Sequence, residues 1–168
     1  MATVLLAAAS RQDAAWAVAE RLGKALTARH VTVDLRRLGP DPVARPDVSS
    51  YDAVVLGSSV RAGRWLEPAS RFAAEHGTTL CRRPVWVFSC EPVTALTHEA
   101  WRVRMHGLSA GAAPLEVVTF TVRAARPGFP ATPSRTSAAD DRRTEWRLIT
   151  AWADGVAALL DPRRVRTA

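Results

Sequence analysis

The chain has 168 residues, 48% of them hydrophobic and 23% charged, with 23 Lys+Arg against 16 Asp+Glu and a net charge of +7. At ~100–200 residues per domain, this length gives one compact domain able to bury a core without disulfides or metal. The composition excludes a disordered chain, and no apolar run reaches the ~20 residues of a membrane span.

In chain order, Thr3 to Ala8 is a short apolar run suited to a strand buried on both faces. Ala14 to Ala28 places Ala15, Val18, Ala19, Leu22 and Leu26 at helical spacing. Val31 to Leu35 alternates as a second strand, and Gly39 to Ser50, with three prolines, is a loop. Ala53 to Gly57 is a third buried strand, Trp65 to Glu75 a helix, and Pro84 to Phe88 a fourth strand. Thr97 to Met105 reads as a short helix and Leu115 to Val122 as a fifth strand. Ala124 to Ser137 carries Pro127, Pro130 and Pro133 and cannot hold a long regular element. Thr144 to Leu160 closes the chain as an amphipathic helix. Residues 1–162 thus form a single domain, followed by a basic tail over 163–168.

Alternating buried strands and helices imply an α/β fold with a parallel sheet covered on both sides. Such sheets bind ligands beyond the carboxyl ends of their strands, at the switch point in strand order. Three loops qualify: Ala9 to Ala15, Ser58 to Trp65, and Ser89 to Thr97.

Lys24 is the only lysine, so arginine carries nearly all the positive charge. It is scattered in pairs such as Arg36-Arg37 and Arg82-Arg83, whereas a nucleic-acid binder gathers its cations on one stripe; no nucleic-acid partner is expected. Cys81 and Cys90 show neither metal spacing nor a disulfide framework, and the stretch from Thr3 to Ser10 lacks the basic start of a signal peptide. These features point to a cytoplasmic protein with no metal and no stable membrane insertion.

The stretch from Tyr51 to Trp65, YDAVVLGSSVRAGRW, is similar to the YDxVVIGxSIRxG pattern of the flavodoxin-domain family that includes menaquinone-dependent protoporphyrinogen IX dehydrogenase. Pro84 to Ser89 resembles that family's next strand, and Glu145 to Ala153 its terminal helix. The resemblance covers roughly Thr3 to Ser89 and Asp141 to Leu160, and it implies a flavodoxin-like three-layer sandwich with five parallel strands in the order 2-1-3-4-5. It further implies FMN in the switch-point pocket, held by Ser10, Arg11, Gln12, Asp13 and Ala14 of the first loop, Ser59, Arg61, Gly63 and Trp65 of the second, and Ser89 and Cys90 of the third. The family's first loop reads approximately [ST]-x-x-G-x-T and cradles the FMN phosphate. Here Ser10 keeps the first hydroxyl, but Asp13 stands at the glycine and Ala15 at the last hydroxyl. Aspartate is a natural helix N-cap, expected to occupy the amides a phosphate would use and to repel the anion. The phosphate loop is therefore degenerate, and the expected alternative is a pocket without FMN.

Trp65 suits two roles, stacking on the flavin ring or packing at a helix start. Glu91 and His98, in or after the third loop, could form an acid–base pair, or they could simply be solvated at a helix end. Trp16, Trp146 and Trp152 fit core or interface packing, so a homodimer is compatible with the sequence. Three functions stay open. The first is an FMN-type oxidoreductase acting on a quinone or small organic substrate. The second is a flavin-free enzyme using the same pocket for cyclisation, isomerisation, elimination or hydrolysis. The third is a non-catalytic module that binds a small molecule.

Overall fold

The computed structural model describes residues 1–11, 13–40, 46–62, 64–91, 115–121 and 138–161. The elements are β1 (Thr3–Ala9), α1 (Ala14–Thr27), β2 (Thr32–Arg37), a 3-10 turn (Val48–Ser50), β3 (Ala53–Arg61), β4 (Arg64–Trp65), α2 (Glu67–Glu75), α3 (Gly77–Leu80), β5 (Val85–Glu91), β6 (Leu115–Thr121) and α4 (Ala138–Leu159). The main sheet runs β2-β1-β3-β5-β6 with every pair parallel, and β4 folds back antiparallel on β3. Counting the five long strands, this is the order 2-1-3-4-5 of the flavodoxin-like sandwich.

The alternation of side chains sorts the sheet into two apolar layers. Val4, Leu6, Ala8, Ala53, Val55, Trp86, Phe88 and Cys90 face α1 and α4, where Val18, Leu22, Leu26, Ile149, Ala153 and Val156 meet them. Leu5, Ala7, Ala9, Val54, Leu56, Val85 and Val87 face α2, with Ala69, Phe72 and Ala73. Both faces of β1, β3 and β5 are thus removed from water, and the hydrophobic effect of covering them holds the sandwich together. Helix α1 buries Ala15, Ala19 and Gly23 on one stripe, small residues that let its axis approach the sheet. It ends where His30 turns through a left-handed backbone at φ 60°. Arg29 then ties the end of α1 to α4 through an ion pair with Asp154.

Several boundaries differ from the sequence reading, among them the second strand, which runs Thr32–Arg37 where Val31 to Leu35 was expected. The third strand runs four residues past Gly57, to Arg61, and turns back as β4, so α2 starts at Glu67 and not at Trp65. The closing helix starts at Ala138 and not at Thr144, because the charged run Asp140 to Arg143 is already helical. The fourth strand continues to Glu91. The expected helix Thr97 to Met105, the proline-rich segment Ala124 to Ser137 and the tail 163–168 lie outside the described residues. Among the described residues, no helix is long and apolar enough to cross a membrane.

Gly57 stands opposite Phe88 in the β3–β5 register, and a Cβ there would lie 2.0–2.5 Å from the phenyl ring. The ring occupies the space over the glycine and meets Trp152 of α4 edge-on at 6.4 Å. Gly57→Ala should therefore destabilise the protein by about 1–3 kcal/mol through overpacking, and adding Phe88→Leu should recover part of the loss in urea denaturation.

Asp34 of β2 accepts hydrogen bonds from the Tyr51 hydroxyl at 2.5 Å and from Arg36 Nε at 2.8 Å. Burial pushes its carboxyl up, but the bonds from Arg36 and Tyr51 and the Arg36 charge outweigh this and hold it below 3.8. Burial, then the bond to Asp34 and its charge, push the Tyr51 phenol above 10.0. A lowered carboxyl contributes stability above its unfolded pKa that is lost as pH falls through the folded value. A raised phenol contributes stability that is lost as pH rises through its folded value. Tyr51→Phe should accordingly flatten the stability profile at both ends, below about pH 3.8 and above about pH 10, in denaturant midpoints measured across pH.

Candidate functional site at the carboxyl ends of the central strands

The parallel register brings the predicted loops together. Ala9 pairs with Ser58, Ser58 with Ser89, and Ser59 with Cys90, so the first, second and third loops leave the sheet side by side. Two cross-links fasten them. The Arg11 amide donates to Ser59 Oγ at 3.4 Å, joining the first loop to β3. The Trp65 indole N–H donates to Ser89 Oγ at 2.9 Å, joining β4 to β5.

Polar side chains at this edge are buried because each has a partner. Ser58 Oγ donates to the Ser59 carbonyl at 2.8 Å and accepts from the Leu66 amide at 3.0 Å, a bond that substitutes for a side-chain cap at the start of α2. Cys90 is buried on the α1 side and Ser89 on the α2 side. Trp65 is only 7% exposed and packs in the α2 layer. Of its two expected roles, this geometry is that of packing. Arg61 and Arg64 face each other across the β3–β4 turn, both exposed, with Ala62 between them in a left-handed backbone at φ 49°.

The first loop differs from expectation in one decisive respect. Asp13 precedes α1 but does not cap it: its backbone is left-handed, φ 57° and ψ 6°, and its side chain makes no cap bond. Caps need an extended backbone, whereas this is the conformation glycine adopts without cost and aspartate tolerates. The carboxylate instead accepts from Arg37 Nη1 at 2.9 Å and is 75% exposed. Ser10 Oγ accepts from the Trp16 amide at 3.1 Å, at the third position of the helix. The expectation that Asp13 closes the helix N-terminus is thus corrected.

Ser10, Arg11, Asp13, Ala14, Ser59, Arg61, Trp65, Ser89 and Cys90 all lie at this edge of the sheet. Gln12, Gly63 and His98 lie outside the described residues, as does the side chain of Glu91, so the acid–base pair falls outside them too. Sequence reasoning missed Arg37. The signal was available: β2 runs parallel to β1 with Arg37 opposite Ala8, so the end of β2 lies beside the first loop. Two other clefts lie apart from this edge. One of about 560 Å³ runs between α1 and α4 past Glu20, Lys24 and Trp146, and one of about 590 Å³ lies at the opposite end of the sheet by Ser49, Thr79 and Arg82.

A flavodoxin-domain family model matches residues 5–123, more than half of the chain and all three of these strand ends. The chain belongs to the flavodoxin domain family. No curated protein matches its sequence. The structure of a short-chain flavodoxin associated with a non-canonical PDU bacterial microcompartment is similar at 15% identity with a TM-score of 0.66, covering 95% of this chain and 99% of that one. The Streptococcus pneumonia TIGR4 flavodoxin matches at 13% identity and TM-score 0.67, over 94% and 99% of the two chains. Rubredoxin oxygen:oxidoreductase from Desulfovibrio gigas matches at 13% and 0.70, over 99% of this chain but 37% of that one. At such identities these flavodoxin likenesses show the fold. The family match supports the flavodoxin resemblance of the Tyr51 to Trp65 stretch and does not bear on its dehydrogenase branch.

Because the Trp65–Ser89 bond joins two loops of this flavodoxin-domain site, Ser89→Ala should lower stability by about 1 kcal/mol and shift the tryptophan emission of the folded protein, read by fluorescence-monitored denaturation.

Proposed function

We propose that this flavodoxin-domain protein binds FMN at the carboxyl ends of β1, β3 and β5 and acts in electron or hydride transfer to a quinone or small organic substrate. The observation that carries the reading is Asp13, which stands where the family's loop has glycine, keeps a glycine-like backbone and turns its carboxylate out to Arg37. Asp13 therefore leaves the start of α1 uncapped by its own carboxylate, while the Ser10 hydroxyl takes the Trp16 amide, and a helix N-terminus attracts a phosphate through its amides and dipole. Ser10 fits the role of hydroxyl donor: its oxygen accepts from Trp16, and its O–H is the donor a phosphate oxygen needs. Arg11, exposed beside it, adds positive charge. Ala15 supplies no hydroxyl, so the hold on phosphate is weaker by one bond than the family pattern provides. Bound there, FMN would supply one- and two-electron redox chemistry, while the chain's residues bind and orient it.

One observation favours a second reading. Trp65 is buried with its indole N–H on Ser89, so it does not present a face for a flavin ring. On that reading the same edge takes a phosphate- or carboxylate-bearing small molecule without flavin, and Glu91 and His98 are the candidates for acid–base chemistry. A module that binds such a ligand without turnover uses the same geometry.

Flavin fluorescence quenching, with FMN and riboflavin titrated separately, tests the proposal. FMN should bind about tenfold or more tighter than riboflavin, the margin of a charge-assisted hydrogen bond worth about 1.5–3 kcal/mol, and Ser10→Ala should remove most of that margin. Equal affinities would mean that no phosphate seat exists, and binding of neither would leave the second reading.

A further inference from the structure

We propose that Arg37 is the specificity-determining residue of this site: stacked on Trp16, it holds the Asp13 carboxylate outside the anion seat at the start of α1. The inference rests on the reading above, in which that seat takes a phosphate-bearing ligand. Arg37 arrives from the end of β2, beside the first loop. Its Nη1 donates to Asp13 Oδ1 at 2.9 Å, and its guanidinium carbon lies 4.4 Å from the centroid of the Trp16 ring. That ring is fixed in turn, because its indole N–H donates to Glu20 Oε1 at 2.9 Å and the Trp16 amide donates to Ser10 Oγ. One cation therefore ties together the end of β2, the first loop and the first turn of α1.

Aspartate at this position has two competing partners. In an extended backbone it would cap α1, accept from the Ala15 amide and place a negative charge where a phosphate would sit. In the observed left-handed backbone it rests on Arg37 and leaves that ground clear. An exposed ion pair alone contributes little. Here the stacking on Trp16 holds the guanidinium in place, so the pair forms at a smaller loss of side-chain freedom. The neighbouring Arg36 is committed to Asp34 and is not a substitute. Arg37 thereby acts as a positioning residue, selecting for anionic ligands by removing a competing anion. As both side chains are largely exposed, the selection should fade as ionic strength rises.

The test combines FMN and riboflavin dissociation constants for the full chain, Arg37→Ala, Asp13→Gly and the double variant with the amide proton shifts of Ala15 and Trp16 in the ligand-free proteins. Arg37→Ala should weaken FMN about fivefold, the size of a typical N-cap interaction, and leave riboflavin within about twofold. In ligand-free Arg37→Ala the Ala15 amide proton should move downfield as the carboxylate swings onto it. In the Asp13→Gly background, Arg37→Ala should change FMN affinity by less than about twofold. An equal loss in both backgrounds would overturn the proposal, since Arg37 would then act through its own charge. Unchanged Ala15 and Trp16 amide shifts in Arg37→Ala would overturn it as well. Should the parent chain bind neither flavin, the functional reading fails, and the amide shifts alone decide whether Arg37 restrains Asp13.

Discussion

Everything in this molecule is referred to β1, an interior strand of the sheet. It is hydrogen-bonded to β2 on one edge and β3 on the other, and Val4 to Ala9 are buried from both faces. Its last three residues are alanines, which leave room for helices on both sides while keeping water away from the backbone ladder. Because both neighbours run parallel to it, its carboxyl end sits beside theirs. The first loop is thereby placed between Arg37 of β2 and Ser59 of β3 by register alone, before any side-chain preference acts.

The site differs from the rest of the fold in using buried hydroxyls instead of apolar contacts. Ser58, Ser59 and Ser89 sit at strand ends where burial without partners would cost several kcal/mol between them. Each hydroxyl instead fastens one loop or helix start to its neighbour. The edge is preorganised by these bonds, and a ligand binding there would meet loops already held in place. The carboxylate of Asp13 is the exception to a rigid frame, since its position depends on an exposed pair with Arg37.

The two layers were legible because apolar runs such as Val54 to Leu56 mark strands buried on both faces and the Ala15-Val18-Ala19-Leu22 stripe a helix packed on them, whereas the strand order came from the resemblance of the Tyr51 to Trp65 stretch and not from patterning. The overlong β3 was not, since Ser58 and Ser59 read as loop residues when their buried partners are unknown. The early start of α4 was hidden by the run Asp140 to Arg143, whose charges resemble a linker. The convergence of Ser10, Ser59 and Ser89 followed from the parallel-sheet rule. The behaviour of Asp13 did not, because residue type favours a cap while the outcome was decided by Arg37, 24 positions away in sequence. Trp65 likewise could not be assigned until Ser89 was seen to accept its N–H.

The proposed FMN site places the phosphate at the start of α1, beside the Ser10 hydroxyl and clear of the Asp13 carboxylate. Amide chemical-shift mapping of the labelled protein during titration with FMN addresses it most directly. The largest shifts should fall on Ser10, Arg11, Asp13, Ala14 and Ala15, with smaller ones at Ser59 and Ser89. Shifts confined to the cleft by Ser49 and Arg82, or to the groove between α1 and α4, would contradict it.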